Sequence, residues 1–428
     1  MNIALKNQRK AGRSPRQNGL TGLVVAFVFF GFLLLMLQKP SLMNAVMLAA
    51  VPLGLWAVEM ILPRLFSMDR LLLSLVDFLC GLGILLQYRY NAGRGLEQCL
   101  NYGAGLVAMV GCGLAVRCIR SWKLLVLPMM AGCCALLILP FVFRSANAGL
   151  GATAWVTFGS FRMQPSEIVK IAYLFVLAYF LSRRRVVFAL AYTGVMLAFL
   201  VAQRDLGTAA IYGGAAVVML YAATSSLMLI LGLAGAGLGA VSALYLLFKD
   251  SFFLTVQNRI RNWLDPFATY DLPGGGYQMA QALIAMANGG WWGTGLGLGD
   301  ISRIPEYSSD FIFSAVMNEF GLVFSLLVIA VYILIVLRSA DIALRSTSAF
   351  HALLALGGAG LIAVQTFIII GGITKLIPMT GVTVPFLSYG GTSLVSCMGI
   401  MGVVQGVANN NERILREDRL LAGEEDAP

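Results

Sequence analysis

Charge is scarce in this chain. Only 12% of its 428 residues are charged, where soluble globular proteins run at about 25%. Histidine is nearly absent too, with His351 standing alone. The deficit excludes a soluble enzyme, a disordered tail protein and a nucleic-acid binder, in spite of a formal net charge of +10. The seven cysteines have no metal-like spacing. Cys80, Cys112, Cys133, Cys134 and Cys397 lie inside apolar runs and Cys99 and Cys118 near their ends, as small buried hydrophobes do. Alternating segments of about ten residues, the mark of a membrane barrel, are missing. What fills the chain is hydrophobic residues, 59% of the total. At about 20 residues per crossing of a hydrocarbon core about 30 Å thick, this length holds ten or more spans, so the chain reads as an all-α polytopic membrane protein.

Apolar runs near 20–38, 43–63, 71–88, 101–117, 124–143, 167–182, 186–202, 207–223, 226–248, 313–337, 349–372 and 384–407 predict about twelve helices, since lipid satisfies no backbone group from outside. Residues 1–19 carry Lys6, Arg9, Lys10, Arg13 and Arg16 without an acid. The run that follows fills a span and has no A-x-A site, so it reads as an anchor rather than a cleaved signal. With the N-terminus inside, 18 of the 30 Lys and Arg fall on cytoplasmic segments and eleven outside, four of these in one long loop; the positive-inside rule therefore predicts both termini in the cytoplasm. The expected organisation is a basic tail at 1–19, an N-terminal pair of spans at 20–66, a core at 67–410 and a second tail at 411–428. Two external segments stand out, 144–166 and the far longer 249–312. Within the latter Tyr277 to Asn288 is helix-compatible, and Trp291 and Trp292 suit the headgroup level.

Polar residues inside apolar surroundings need a reason, because a charge in a span costs roughly 2.5–3.5 kcal/mol on insertion scales. Glu167 and Lys170 lie three apart on the helix opening at Pro165, able to pair. The pair serves either as a structural brace or as a polar cavity wall. Asp205 and Asp310 each precede an apolar run. Each fits a helix cap, and Asp310 equally fits a general base poised by burial. The last external turn carries Lys375, Pro378, Gly381, Pro385, Ser388, Tyr389, Gly390 and Gly391. It is either an ordinary interhelical turn or an anion-accepting one.

Taken in order, several stretches resemble the SEDS family (shape, elongation, division and sporulation) of the FtsW/RodA type. They are Gly151-Ala152 with Trp155 and Gly159; Gln164-Pro165-Ser166-Glu167 with Lys170; and Gln203 with Asp205-Leu206-Gly207-Thr208. Asp265-Pro266, Gly276-Tyr277-Gln278 and Gly293 with Gly295 and Gly297 follow. The clearest are Pro305-Glu306, Asp310-Phe311-Ile312-Phe313, Glu319 with Gly321, and Pro378 through Ser388-Tyr389-Gly390-Gly391. The chain departs from the family pattern at Arg204 (usually Pro), Ser308 (usually His) and Ile369 (commonly Asn), and its first two spans exceed the common ten.

The resemblance implies a peptidoglycan glycosyltransferase that polymerises lipid II at the outer face of the bacterial cytoplasmic membrane. Its implied partners are a class B penicillin-binding protein transpeptidase and other divisome or elongasome membrane proteins. In the family pattern the proposed catalytic residue falls on Asp310, with Glu167, Lys170 and Trp155 around the cavity. An inverting displacement on a sugar diphosphate needs a base for the acceptor hydroxyl and positive charge for the leaving group. Arg259, Arg261 and Lys375 are the candidate cations, with Mg or Mn as a possible divalent cofactor. Gln164, Gln278, Glu306, Ser388 and Tyr389 complete the candidate site. A lipid flippase and a non-catalytic scaffold for a transpeptidase are the competing readings.

Overall fold

The computed structural model describes residues 17–119, 121–143, 154–158, 161–248, 254–272 and 275–421. Most of the basic tail, the positions Gly151, Ala152 and Gly159, and the end of the second tail lie outside these. The helices are α1 (Gln17–Gln38), α2 (Leu42–Phe66), α3 (Arg70–Tyr90), α4 (Ala92–Cys118) and α5 (Lys123–Val142). A hairpin of β1 (Val156–Phe158) and β2 (Phe161–Met163), paired antiparallel, precedes α6 (Pro165–Ser182). Then come α7 (Val186–Ala202), α8 (Leu206–Thr224), α9 (Leu227–Phe248), α10 (Leu254–Leu264), α11 (Tyr277–Gly289), α12 (Ile312–Leu344), α13 (Ala349–Ile373) and α14 (Gly391–Leu421).

Ten helices among the described residues are long and apolar enough to cross a membrane. α7, with 17 residues, falls just short of that length, so among the described residues ten of the expected twelve are met outright. The last expected run, 384–407, is corrected at its start. Residues 384–390 are loop, where Pro385 denies the backbone a donor, and α14 begins only at Gly391. The small sheet and α10 were not expected.

Four helices, α3, α6, α13 and α14, form the interior, and the other spanning helices wrap them with more exposed apolar surface. Close approach depends on glycine. A Cβ at Gly402 would overlap the Met109 backbone of α4, and one at Gly113 would stand 3.1 Å from the Gly402 carbonyl. Without a hydrophobic drive between helices in lipid, such close packing carries the association.

α12 is broken at Gly321, with φ 82 and ψ 178. Backbone groups freed inside a membrane must find partners within the protein, and here residues 290–295 supply them. Thr294 N–H donates to the Asn318 carbonyl at 2.9 Å and Gly295 N–H to that of Glu319 at 3.0 Å. Leu322 N–H donates in turn to the Gly290 carbonyl at 2.9 Å. The break thus stitches residues 290–295, which follow α11, onto α12.

Charge-derived topology meets the fold directly. Segments assigned to one side gather at one end: Arg338 pairs with Asp69 at 2.5 Å, Asp69 N–H donates to Gln405, and Asn411 donates to the Ile342 carbonyl. Segments assigned to the other side gather at the opposite end, and the site lies there.

Candidate active site

Asp310 closes the loop 305–311, one residue short of the cap of α12. That cap is Phe311, without a side-chain hydrogen bond, so the helix-cap reading of Asp310 fails. Its backbone is set instead by Glu306, which has φ 55 and whose carbonyl accepts from the N–H groups of Ser309 (3.2 Å) and Asp310 (3.1 Å). A non-glycine residue in the left-handed region costs roughly 1–2 kcal/mol, so the surroundings must hold this turn. The loop 384–390 does. Ser388 Oγ donates to the Ser309 carbonyl at 2.5 Å and accepts from Val384 N–H at 2.8 Å. The Ser308 carbonyl accepts from Tyr389 N–H at 2.8 Å and from Gln87 Nε2 at 2.7 Å.

A cavity of about 540 Å³ opens in front of Asp310. α10 contributes Asn258, Arg259, Asn262 and Trp263, and α11 contributes Tyr277, Gln278 and Met279. Pro305, Phe311, Met379 and Gly381 complete much of its wall. Arg259 is fixed by donation from Nη1 to the Thr380 carbonyl at 2.9 Å. Gly381, at φ 76, keeps the space between acid and base clear. A Cβ there would stand 3.4 Å from Asp310 Oδ2 and 4.0 Å from Arg259 Nη2. The carboxylate and the guanidinium therefore flank one point without an ion pair of 4 Å or less between them among the described residues.

Burial pushes the Asp310 carboxyl up to about 6, and the negative charge of Glu306 adds to it. The Ser309 hydroxyl and the Arg259 charge pull the other way. Loss of solvent lowers Arg259, opposed by Asp310 and Asp205. Above pH of about 6 the pair is thus an ionised carboxylate beside a cation, able to take a proton on one side and hold an anion on the other.

The remaining expected residues separate into groups. Glu167 and Lys170 do pair, Oε2 to Nζ at 2.7 Å, with Lys170 also donating to Gln365 at 3.1 Å. Both are buried in the bundle and are not among the cavity-lining side chains. Gln164 donates to Asp205 at 2.8 Å, while the other Asp205 oxygen caps α8 by accepting from Thr208 N–H at 3.0 Å. Trp155 lies 39% exposed on the hairpin under the Arg162 guanidinium. Arg261 is exposed; two residues from Arg259, it points to another face of α10. Lys375 is exposed, and its carbonyl accepts from Trp263 Nε1 at 3.0 Å. Gln278 lines the cavity. Glu306 belongs to the loop that carries Asp310, Ser388 and Tyr389 hold that loop from 384–390, and the Tyr389 hydroxyl donates to Glu97.

Asn258, Asn262, Trp263 and Met379 were missed, though Asn258, Arg259 and Asn262 share one face of a strongly amphipathic 11-residue helix. Two departures also find their place. Arg204 has φ 61, which proline, fixed near −65°, cannot take. Ser308 is buried, with its carbonyl holding the loop. Among the described residues no three His, Cys, Asp or Glu side chains come together. Arg259 is the cation beside Asp310.

Comparison with known proteins agrees with this architecture. A probable peptidoglycan glycosyltransferase FtsW of Geobacter metallireducens is 34% identical over 319 residues, covering 71% of this chain and 83% of that protein. Peptidoglycan glycosyltransferase RodA of Mycobacterium tuberculosis is 30% identical over 380 residues, covering 81% and 79%. Among solved structures, a chain of a peptidoglycan synthase complex superposes with a TM-score of 0.67 at 24% identity, covering 81% of this chain and 98% of that one. Rod shape determining protein RodA of Thermus thermophilus gives 0.59 at 24%, covering 82% and 99%; both speak to the fold. The model of the cell cycle protein family matches residues 65–413, and the chain, a multi-pass membrane protein of bacterial type, belongs to that FtsW/RodA/SpoVE family.

Proposed function

We propose that this chain is a peptidoglycan glycosyltransferase that polymerises lipid II into glycan strands at the outer face of the cytoplasmic membrane, inverting the sugar it transfers. The activity is the one its relatives carry in their names. One observation supports its location: a half-buried carboxyl, Asp310, shares a cavity of about 540 Å³ with Arg259 at the end of the bundle where the long loops gather. Asp310 takes the proton of the acceptor hydroxyl as that oxygen attacks the donor sugar on the face opposite its diphosphate. The bond to the diphosphate breaks, and the departing oxygens need charge rather than a proton, which Arg259 supplies. Asn258, Asn262 and Gln278 are placed to orient hydroxyls and amides of the substrate.

A partner transpeptidase, of the kind that would crosslink the strand, fits the resemblance to a chain of a peptidoglycan synthase complex. The N- and C-termini then face the cytoplasm, as the charge distribution predicts.

The test is purified protein in vesicles with labelled lipid II, measured for polymer and for scrambling of label, with and without a co-expressed transpeptidase. Polymer without scrambling is the expected result. Scrambling without polymer would make the chain a flippase, and neither would leave a scaffold.

A further inference from the structure

The pair α1–α2 lies outside the family-matched residues 65–413 but for its last two positions. Its outer end nevertheless grips the site loop. Gln38, the last residue of α1, donates from Nε2 to the Leu296 carbonyl at 2.7 Å. A Cβ on the next residue, Gly297, would overlap the Gln38 amide, so the amide is seated on that turn at contact distance. Two residues of the matched core hold the same turn. Arg89 Nη2 donates to the carbonyls of Gly297 (2.7 Å) and Gly299 (3.0 Å), and Glu319 accepts from Gly297 N–H at 3.2 Å. The turn therefore has three grips, and one comes from the additional pair.

The place of the turn gives that grip its consequence. On one side the chain leads back through residues 290–295, which are stitched to α12, to α11, whose first residues line the cavity. On the other it leads through buried Ile301 and Ile304 to Asp310. Movement at 295–299 would thus shift both walls of the site. The pair itself is firmly seated. Phe27 packs on Phe78 and Phe324 at ring distances of 5.2 and 5.5 Å, Tyr88 donates to Asn44 at 2.6 Å, and Ser74 donates to Glu59 at 2.7 Å.

We propose that α1–α2 is a built-in brace for the active site, and that Gln38 is a positioning residue which acts through the Leu296–Gly297 turn. Because Arg89 and Glu319 hold the turn as well, loss of Gln38 loosens the site without dismantling it. This rests on the glycosyltransferase reading for its kinetic part only.

The experiment uses the full chain with Gln38→Leu, Gln38→Glu (which keeps an acceptor and loses the donor) and Trp56→Ala as an exposed control on α2. For both Gln38 variants kcat should fall about two- to tenfold, as the loss of one modest hydrogen bond gives. KM for the lipid substrate should change less than kcat, because no cavity residue is itself substituted. Amide exchange should quicken at 294–300 and not in α1, α2 or α3, and Trp56→Ala should match wild type in everything. Wild-type exchange at 294–300 in Gln38→Leu would overturn the brace. So would exchange that quickens equally throughout α1–α3, which would reveal plain loss of helix docking. If the wild-type chain makes no polymer, the functional reading falls, and the exchange measurement still decides on the brace.

Discussion

Asp310 shows how far a single residue could be read and where reading stopped. Its place before Phe-Ile-Phe was legible, and so was the conflict between cap and base. What places the residue is a contact between loops some eighty positions apart, 305–311 with 384–390, which no periodicity encodes. The electrostatics now give a signed prediction. With the carboxyl at about 6, the carboxylate predominates at pH 7 and is about a tenth of the population at pH 5, so with Asp310 in the proposed role of base polymerisation should rise with pH through about 6. Glu306 raises that carboxyl, so Glu306→Gln should move the acid limb to lower pH. Arg259 lowers it, so Arg259→Gln should move the limb to higher pH and weaken substrate binding as well. Rate against pH for the three proteins checks both shifts, and coincident limbs would mean that Asp310 is not the titrating base.

Between elements, the loops and the buried pair carry different loads. Ser388 Oγ ties 384–390 to the Asp310 loop by donating to the Ser309 carbonyl, and it folds its own loop by accepting from Val384 N–H. Ser388→Ala leaves a buried donor and acceptor poorly served and should cost about 1–3 kcal/mol. Thermal unfolding in detergent measures this, and the rate of polymerisation should fall with it. The Glu167–Lys170 spacing was legible as a helical i, i+3 pair, but its neighbour Gln365 on α13 was not. Lys170→Met strands a buried carboxylate and should destabilise by about 3–5 kcal/mol, whereas Lys170→Met with Glu167→Gln should recover much of that loss. Equal stability of the single and double variants would show that the pair is not coupled. α10 escaped notice for a different reason: at 11 residues it is too short for a span and sits in a loop defined only by lacking one.

Across the whole molecule, composition and cation placement sorted the loops into two sets, and the fold gathers those sets at opposite ends. The physical cause is plain, since charge is costly in lipid and cations collect on one side. The cavity was not legible at that scale, because it is walled by two short helices and the loops beside them, whose mutual contacts depend on tertiary packing. Nor was the break at Gly321, where a family-like glycine hides a backbone exchange between α12 and residues 290–295. The outcome is an apolar scaffold whose polar chemistry is concentrated at one membrane boundary. The most direct test is polymerisation of lipid II by purified Asp310→Asn, with thermal unfolding measured alongside. The account predicts a protein as stable as wild type that makes no detectable polymer; wild-type polymer from that variant would contradict it.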